Sequence, residues 1–221
     1  MVVALRGRGQ PRPLFCLGGR QGQESEQRFS CPACGGANAP RRAQPLVGGG
    51  DMSALVGFSG SRHWREQTVV RQVLASVATS GRQVAVGCAN GLDAIVRAYC
   101  QDAIVFRAES RKPRDLVSRS IACVRAVAES GDGRGWISFP GCQCPDGILP
   151  SRSSTACFSG SGSGSWASAA LAAGRGIPVV VFGLERNQMP KAWGMWEQAG
   201  AASPWNQGFI LRPKAKQLSL F

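Results

Sequence analysis

Ala54-Leu55-Val56-Gly57-Phe58-Ser59-Gly60-Ser61-Arg62 is the stretch on which the fold turns. Ala54 to Phe58 is a short apolar run of strand length, and it breaks into small polar residues and an arginine. The next segment changes period. Residues 66–79 place Val69, Val70, Val73, Leu74, Val77 and Ala78 at helical spacing and stop at Ser80-Gly81. The alternation then repeats, with a strand at Val84–Val86, a helix over 91–100 and a strand at Ile104–Phe106. Leu116, Val117, Ile121, Val124 and Val127 mark the next amphipathic helix. After it come a strand at Trp136–Phe139, a long loop, a small-residue helix over 166–174 and a strand at Ile177–Phe182. Strands alternating with helices predict right-handed crossovers and a parallel sheet covered on both faces. The expectation is an α/β fold, a Rossmann-like doubly wound parallel sheet of about five strands in a single domain. Such a sheet binds ligands beyond the C-terminal ends of its strands.

The domain is expected over residues 52–183, with appendages on both sides. Over 184–211, Trp193, Trp196 and Trp205 are expected to pack a short helix and a last strand, Phe209–Leu211, onto the domain. Residues 212–221 form a basic linker, Arg212-Pro213-Lys214-Ala215-Lys216, and a terminal apolar peptide. Residues 1–51 are rich in Gly, Arg, Pro and Gln and lack sustained periodicity. They read either as a disordered basic extension or as a mis-called start. In the second reading Gly48-Gly49-Gly50-Asp51 is the translated image of a purine-rich ribosome-binding site, and Met52 is the first residue.

The chain carries 26 Lys+Arg against 13 Asp+Glu, a formal charge of +13, together with 29 glycines. Leaving out residues 1–51 gives 19 basic against 10 acidic residues, so the excess persists. A basic balance favours polyanionic partners, nucleic acid before membrane. No apolar run approaches the roughly 20 residues that span a bilayer, and the N-terminus lacks the apolar core of a secretion signal. A cytoplasmic location, in a bacterial or phage-like setting, is expected, with no membrane partner. Of the nine cysteines, Cys88, Cys100 and Cys123 fall in strand ends or helices, where a thiol behaves as a small hydrophobe. Cys31 and Cys34 form one C-x-x-C with Cys16 upstream and no matching second pair, short of the four ligands of a zinc site. No metal is expected.

Three glycine-rich turns fall at predicted strand ends. The first contains Gly57, Ser59, Gly60, Ser61 and Arg62, where backbone N–H groups approach an anion and the guanidinium adds a forked contact. The second contains Gly87, Ala89, Asn90, Gly91 and Asp93. The third, Gly160-Ser161-Gly162-Ser163-Gly164-Ser165, opens a helix whose dipole favours phosphate. Each alone reads equally as a tight connection, and the Ser/Gly run also as a flexible linker. The architecture converges all three on one edge. Arg107, Arg111, Lys112 and Arg114 cluster after the third strand and read either as phosphate contacts or as a solvated helix start. His63 reads as an acid–base group or a surface residue, and Trp64 and Trp166 as stacking platforms or as core. Cys142 and Cys144, in Pro140-Gly141-Cys142-Gln143-Cys144-Pro145, sit in a loop long enough to act as a lid.

The set Gly60-Ser61-Arg62, then Gly87-x-Ala89-x-Gly91-x-Asp93, then Gly162-Ser163-Gly164-Ser165 before a small-residue helix resembles the SLOG superfamily. That group includes DNA-processing protein A (DprA/Smf) and the LOG-type nucleotide phosphoribohydrolases. The resemblance covers residues 53–183 and implies a Rossmann-like fold that binds nucleotides, nucleotide derivatives or single-stranded DNA, with no further cofactor required. LOG enzymes carry Pro-Gly-Gly-x-Gly-Thr-x-x-Glu, whose glutamate serves glycosidic cleavage. Here the stretch continues Trp166-Ala167-Ser168 without a carboxylate. Asp93 is then the remaining catalytic candidate, with ribose binding and orientation of the 87–93 turn as its other readings. The last residues, Gln217-Leu218-Ser219-Leu220-Phe221, resemble the bacterial sliding-clamp-binding motif. There the Gln bonds at the pocket rim and the Leu and Leu-Phe side chains fill apolar pockets. The expected function is a nucleotide- or single-stranded-DNA-binding SLOG protein in DNA metabolism, tethered to the replication sliding clamp. The alternatives are an N-glycosidic hydrolase acting on a small nucleotide and a nucleotide sensor. A homo-oligomer is compatible with each.

Overall fold

In the computed structural model, which describes residues 54–160 and 162–213, the first strand β1 (Leu55–Gly60) deals its side chains to opposite faces. Leu55 enters the buried cluster on one side of the sheet, and Val56 and Phe58 enter that on the other. This is the two-residue period of an extended chain. Because both faces are covered, the strand is apolar from Leu55 to Phe58 rather than alternating. Helices α1 (Thr68–Thr79) and α2 (Leu92–Tyr99) cover the Phe58 face through Val70, Val73, Val77, Leu92 and Val96. On the other face lie α3 (Pro113–Glu129), through Cys123, Val124 and Val127, and α5 (Gly164–Gly174). A one-turn helix, α4 (Ser154–Cys157), precedes α5. Every residue of α5 from Trp166 to Leu171 and on to Ala172 is buried. A helix apolar on all sides must lie inside, and its alanines let it approach the sheet closely.

The remaining strands are β2 (Gln83–Val86), β3 (Ile104–Val105), β4 (Gly135–Phe139), β5 (Val179–Phe182), β6 (Gly194–Gln198) and β7 (Gly208–Pro213). They form one sheet in the order β3-β2-β1-β4-β5-β7-β6. The four pairings among β1 to β5 are parallel, and β7 runs antiparallel to both β5 and β6. The protein is thus a mixed α/β fold with a mostly parallel sheet flanked by helices. Among the described residues no helix is long and apolar enough to cross a membrane.

Two expectations need correction. The sheet has seven strands rather than about five, because the segment after Phe182 contributes two. In place of the short helix expected over 184–211 there are two 3-10 turns, Arg186–Gln188 and Trp205–Gln207, with Trp196 in β6 between them, while the expected last strand is β7. The cause is local: Trp196 buries beside Trp193 on the α5 side while Met195 points to solvent, a period of two that three tryptophans at uneven spacing obscure. Secondly, β1 runs on through Ser59 and Gly60, which pair with Ser138 and Phe139 of β4. Those two residues belong to the strand end rather than to a free turn. Residues 1–51, Met52, Ser161 and the Gln217–Phe221 peptide lie outside the described residues.

Candidate functional site

The chain leaves β1 for β2 and β3 on one side and returns to β4 on the other, so the strand order reverses between β1 and β4. Connections diverge at such a point and leave a crevice beyond the strand ends. Here the crevice is a cleft of about 550 Å³. Its walls are Ser59 and Gly60 at the end of β1, Ser61, Arg62 and His63 after it, Gly87, Ala89 and Asp93 after β2, and Gly141 and Cys142 after β4. Gly162, Ser163, Gly164 and Ser165 at the start of α5 close the far side.

The first two turns hold one another. Ser61 donates its N–H to the Phe139 carbonyl at 2.9 Å, and its own carbonyl accepts from Leu92 N–H at 3.1 Å and from Trp64 N–H at 3.2 Å. Gly91 caps α2 with φ +67°, and a Cβ there would lie 2.3 Å from the Ser61 carbonyl oxygen. Glycine is therefore required twice over, for the left-handed backbone and for the close approach. The second turn is also tied internally. Asp93 accepts the Ala89 N–H at 3.0 Å, and Arg97 donates to the Gly87 carbonyl at 2.8 Å and the Ala89 carbonyl at 3.1 Å. At Gly87 a Cβ would come within 2.5 Å of Asp93 Oδ2 and 2.8 Å of the Arg119 guanidinium.

Arg119 reaches this turn from α3. Its Nη1 lies 3.4 Å from Asp93 Oδ2 and 3.7 Å from Cys88 Sγ, its Nη2 donates to Ser120 Oγ at 3.2 Å, and its buried Nε has no partner among the described residues. Burial raises the Asp93 carboxyl above its usual range, against the lowering pull of Arg119, the Ala89 N–H, Arg97 and Arg62. Burial also pushes the Cys88 thiol upward, but the Ala108 N–H and Arg119 outweigh it and leave that thiol below its ordinary value. At the cleft floor, burial lifts the Cys123 thiol to about 12.

At the third turn Ser163 caps α5, its Oγ accepting the Trp166 N–H at 3.5 Å and lying 3.3 Å from Ser165 Oγ. The backbone N–H groups of Gly164 and Ser165 have no acceptor among the described residues. They stand at the positive end of an 11-residue helix, where an anion is favoured. Arg62, which lines the same cleft, is exposed and makes no ion pair among the described residues. Among the residues lining the cleft, Asp93 is the only carboxylate and His63 the only imidazole. The arrangement is one of donors, with its single carboxylate already engaged.

Other residues singled out from the sequence are placed as follows. Gly57 lies under the Trp136 ring, Asn90 and Gly91 back the second turn, and Gly160 lines a neighbouring cavity instead of the cleft. Trp166 is fully buried, donates to the Cys142 carbonyl at 2.9 Å and meets Trp193 edge-on. Trp64 packs edge-on against Phe139 and donates to the Glu66 carbonyl at 2.6 Å. Both indoles are thus committed to packing. Arg111 lines the neighbouring cavity, and Arg114 pairs with Asp115. Cys142 stands at the cleft wall, whereas burial pushes the half-buried Cys144 up to about 12. Among the described residues no group of three or more His, Cys, Asp or Glu is placed to hold a metal ion.

Reading the sequence alone missed Arg119, Ser120, Cys123, Trp136, Gly141 and Ser168 as wall residues. One signal was available: Leu116, Arg119, Ser120 and Cys123 share a helical face, and a charge on an otherwise apolar face calls for a buried partner. Comparison of the chain with family models, with curated proteins and with solved structures gives no match in any of the three.

Proposed function

We propose that the protein is a Rossmann-like, doubly wound nucleotide-binding protein of the SLOG type that acts in DNA metabolism. The phosphate end of its ligand sits between Arg62 and the start of α5. One observation supports this above others: the Arg62 guanidinium, without an ion pair among the described residues, and the N–H groups of Gly164 and Ser165, without an acceptor among them, border the same cleft, a donor set matched to a phosphate. A nucleoside phosphate, or the phosphate end of single-stranded DNA, supplies the acceptor. Binding rather than hydrolysis is the preferred reading, because Asp93 is 5% exposed and held by the Ala89 N–H and Arg119. A general acid or base needs a proton path to substrate. The terminal peptide tethers this activity to a replication sliding clamp in the same proposal.

Thermal shift and calorimetry on the full chain, against nucleoside phosphates and a short single-stranded oligonucleotide, test the reading. A ligand at a hundred times its Kd stabilises by about 2.7 kcal/mol, a rise in Tm of about 5–11 °C for a body of this size. Arg62→Ala and Ser163→Glu each weaken binding at least about tenfold, because a charge-assisted contact contributes about 1.5–3 kcal/mol. No response to any phosphate ligand, or full affinity in both variants, refutes the proposal.

A further inference from the structure

Beside the cleft lies a second cavity of about 360 Å³. It shares Arg62, Arg119, Ser120 and the Gly162-Ser163-Gly164 turn with the cleft, so one wall serves both. Its other surfaces are of a different kind. Leu116 and Val117 from α3, Ile148 from the loop, Phe158 after α4 and Ala167 from α5 make it apolar, and no carboxylate lines it. Arg111 stands at its rim, exposed and without an ion pair among the described residues.

An apolar chamber that continues from an anion-binding turn fits a ligand with both characters. Ligand pockets bind in this way, with apolar walls for the body of the molecule and a few polar groups that orient it. Size agrees, since each cavity falls within the roughly 300–1,000 Å³ of small-molecule sites. Taking the phosphate reading of the cleft as its premise, we infer that the second cavity is the base subsite of a nucleoside 5′-phosphate. The phosphate lies at the Gly162–Ser165 turn and the flat ring enters between Phe158 and the Leu116–Val117 ridge. Phe158 offers the ring an aromatic face, and Arg62 and Arg111 flank its polar edge. An aliphatic wall with one aromatic ring recognises the shape of a base more than its identity, so purines and pyrimidines are both accepted.

The test compares adenosine 5′-monophosphate with ribose 5-phosphate by calorimetry on the full chain, wild type and Phe158→Ala. In the wild type the base adds at least about fivefold in affinity, the low end of stacking on an aromatic side chain. Phe158→Ala removes most of that advantage and leaves ribose 5-phosphate unchanged, whereas Arg62→Ala weakens both ligands together. Should Phe158→Ala fail to fold, judged by its melting curve, Val117→Gln serves instead. Photolabelling of the wild type with 8-azidoadenosine 5′-monophosphate locates the base directly, with label expected within 111–120 or at 158. Equal affinities for the two ligands, an equal loss of both in Phe158→Ala, or label confined to 59–63 overturns the base subsite and leaves the phosphate reading standing. Failure of either ligand to bind the wild type overturns both.

Discussion

Replacing Gly91 by alanine tests the interlock of the first two turns, and Gly81 provides a matched control. Both glycines adopt a left-handed backbone, φ +67° at Gly91 and φ +69° at Gly81. At Gly81 an added Cβ meets nothing within 4 Å, so Gly81→Ala reports the backbone conformation alone. That costs about 1–2 kcal/mol, or roughly 2–8 °C in Tm. At Gly91 the same methyl would lie 2.3 Å from the Ser61 carbonyl oxygen and 2.4 Å from the Arg62 carbonyl carbon and oxygen. Those are backbone atoms, fixed by the Ser61 N–H bond to Phe139, so they cannot swing aside as a side chain tip would. Overpacking of this kind adds about 1–3 kcal/mol, which puts Gly91→Ala at about 2–5 kcal/mol and roughly 4–20 °C. Differential scanning calorimetry of the two variants reads the difference. The same two proteins should also separate in ligand affinity, because only Gly91→Ala displaces the Ser61-Arg62 backbone at the cleft wall. If Gly91→Ala melts with Gly81→Ala and binds phosphate ligands as well as it does, the turns are not locked together as described.

Three further outcomes are expected. Asp93→Ala leaves Arg119 buried without its countercharge, with side-chain exposures of 7% and 12% for the pair. Loss of one partner of a buried pair costs about 3–5 kcal/mol, measurable by urea denaturation, and a cost under about 1 kcal/mol would refute the pairing. Asp93 also has a pH signature. Its folded carboxyl is raised above 3.8 by burial, so the folded state holds that proton more tightly than the unfolded chain. Its stabilising contribution is full below that value and is lost as pH rises through the folded pKa. The stability of the wild type relative to Asp93→Asn should therefore fall over that window, and a difference that is flat or rising with pH contradicts the assignment. Finally, Cys88 should be alkylated by iodoacetamide faster at pH 7.5 than Cys100 or Cys144, whose thiols burial raises to about 11 and about 12. Arg119→Ala should slow Cys88, and an unchanged rate in that variant removes Arg119 as the cause.

The sequence was legible where one physical demand dominated. Val56, Phe58, Val84, Val86 and Ile137 had to be apolar because the layer of α1 and α2 covers them, and an apolar run between turns says as much by itself. That Gly60, Ser61, Arg62, Ser163 and Gly164 would share one edge was legible from the strand–helix alternation, which carries successive strand ends to the same side, and all five line the cleft. Where two demands compete, the pattern blurs. Trp196 lies in a strand of only five residues, Gly194–Gln198, near two other tryptophans, so alternation had little length in which to show. Arg119 was hidden because its partner is 26 positions away, and nothing local marks that pairing. The second cavity was not visible in the sequence, for it is built from α3, a loop, α4 and α5 together.

The late arrival of β7 carries a consequence for how the chain is made. All the strands that shape the cleft have been synthesised by Phe182, yet β5 receives its outer neighbour only from Gly208 onward. Until β7 docks, Val180 to Phe182 keep one hydrogen-bonding edge open. An uncovered apolar edge is a template for pairing with another chain. The protein is therefore most vulnerable to aggregation when the first five strands are formed and β7 is not yet docked. A variant whose β7 cannot dock should therefore self-associate through the edge of β5.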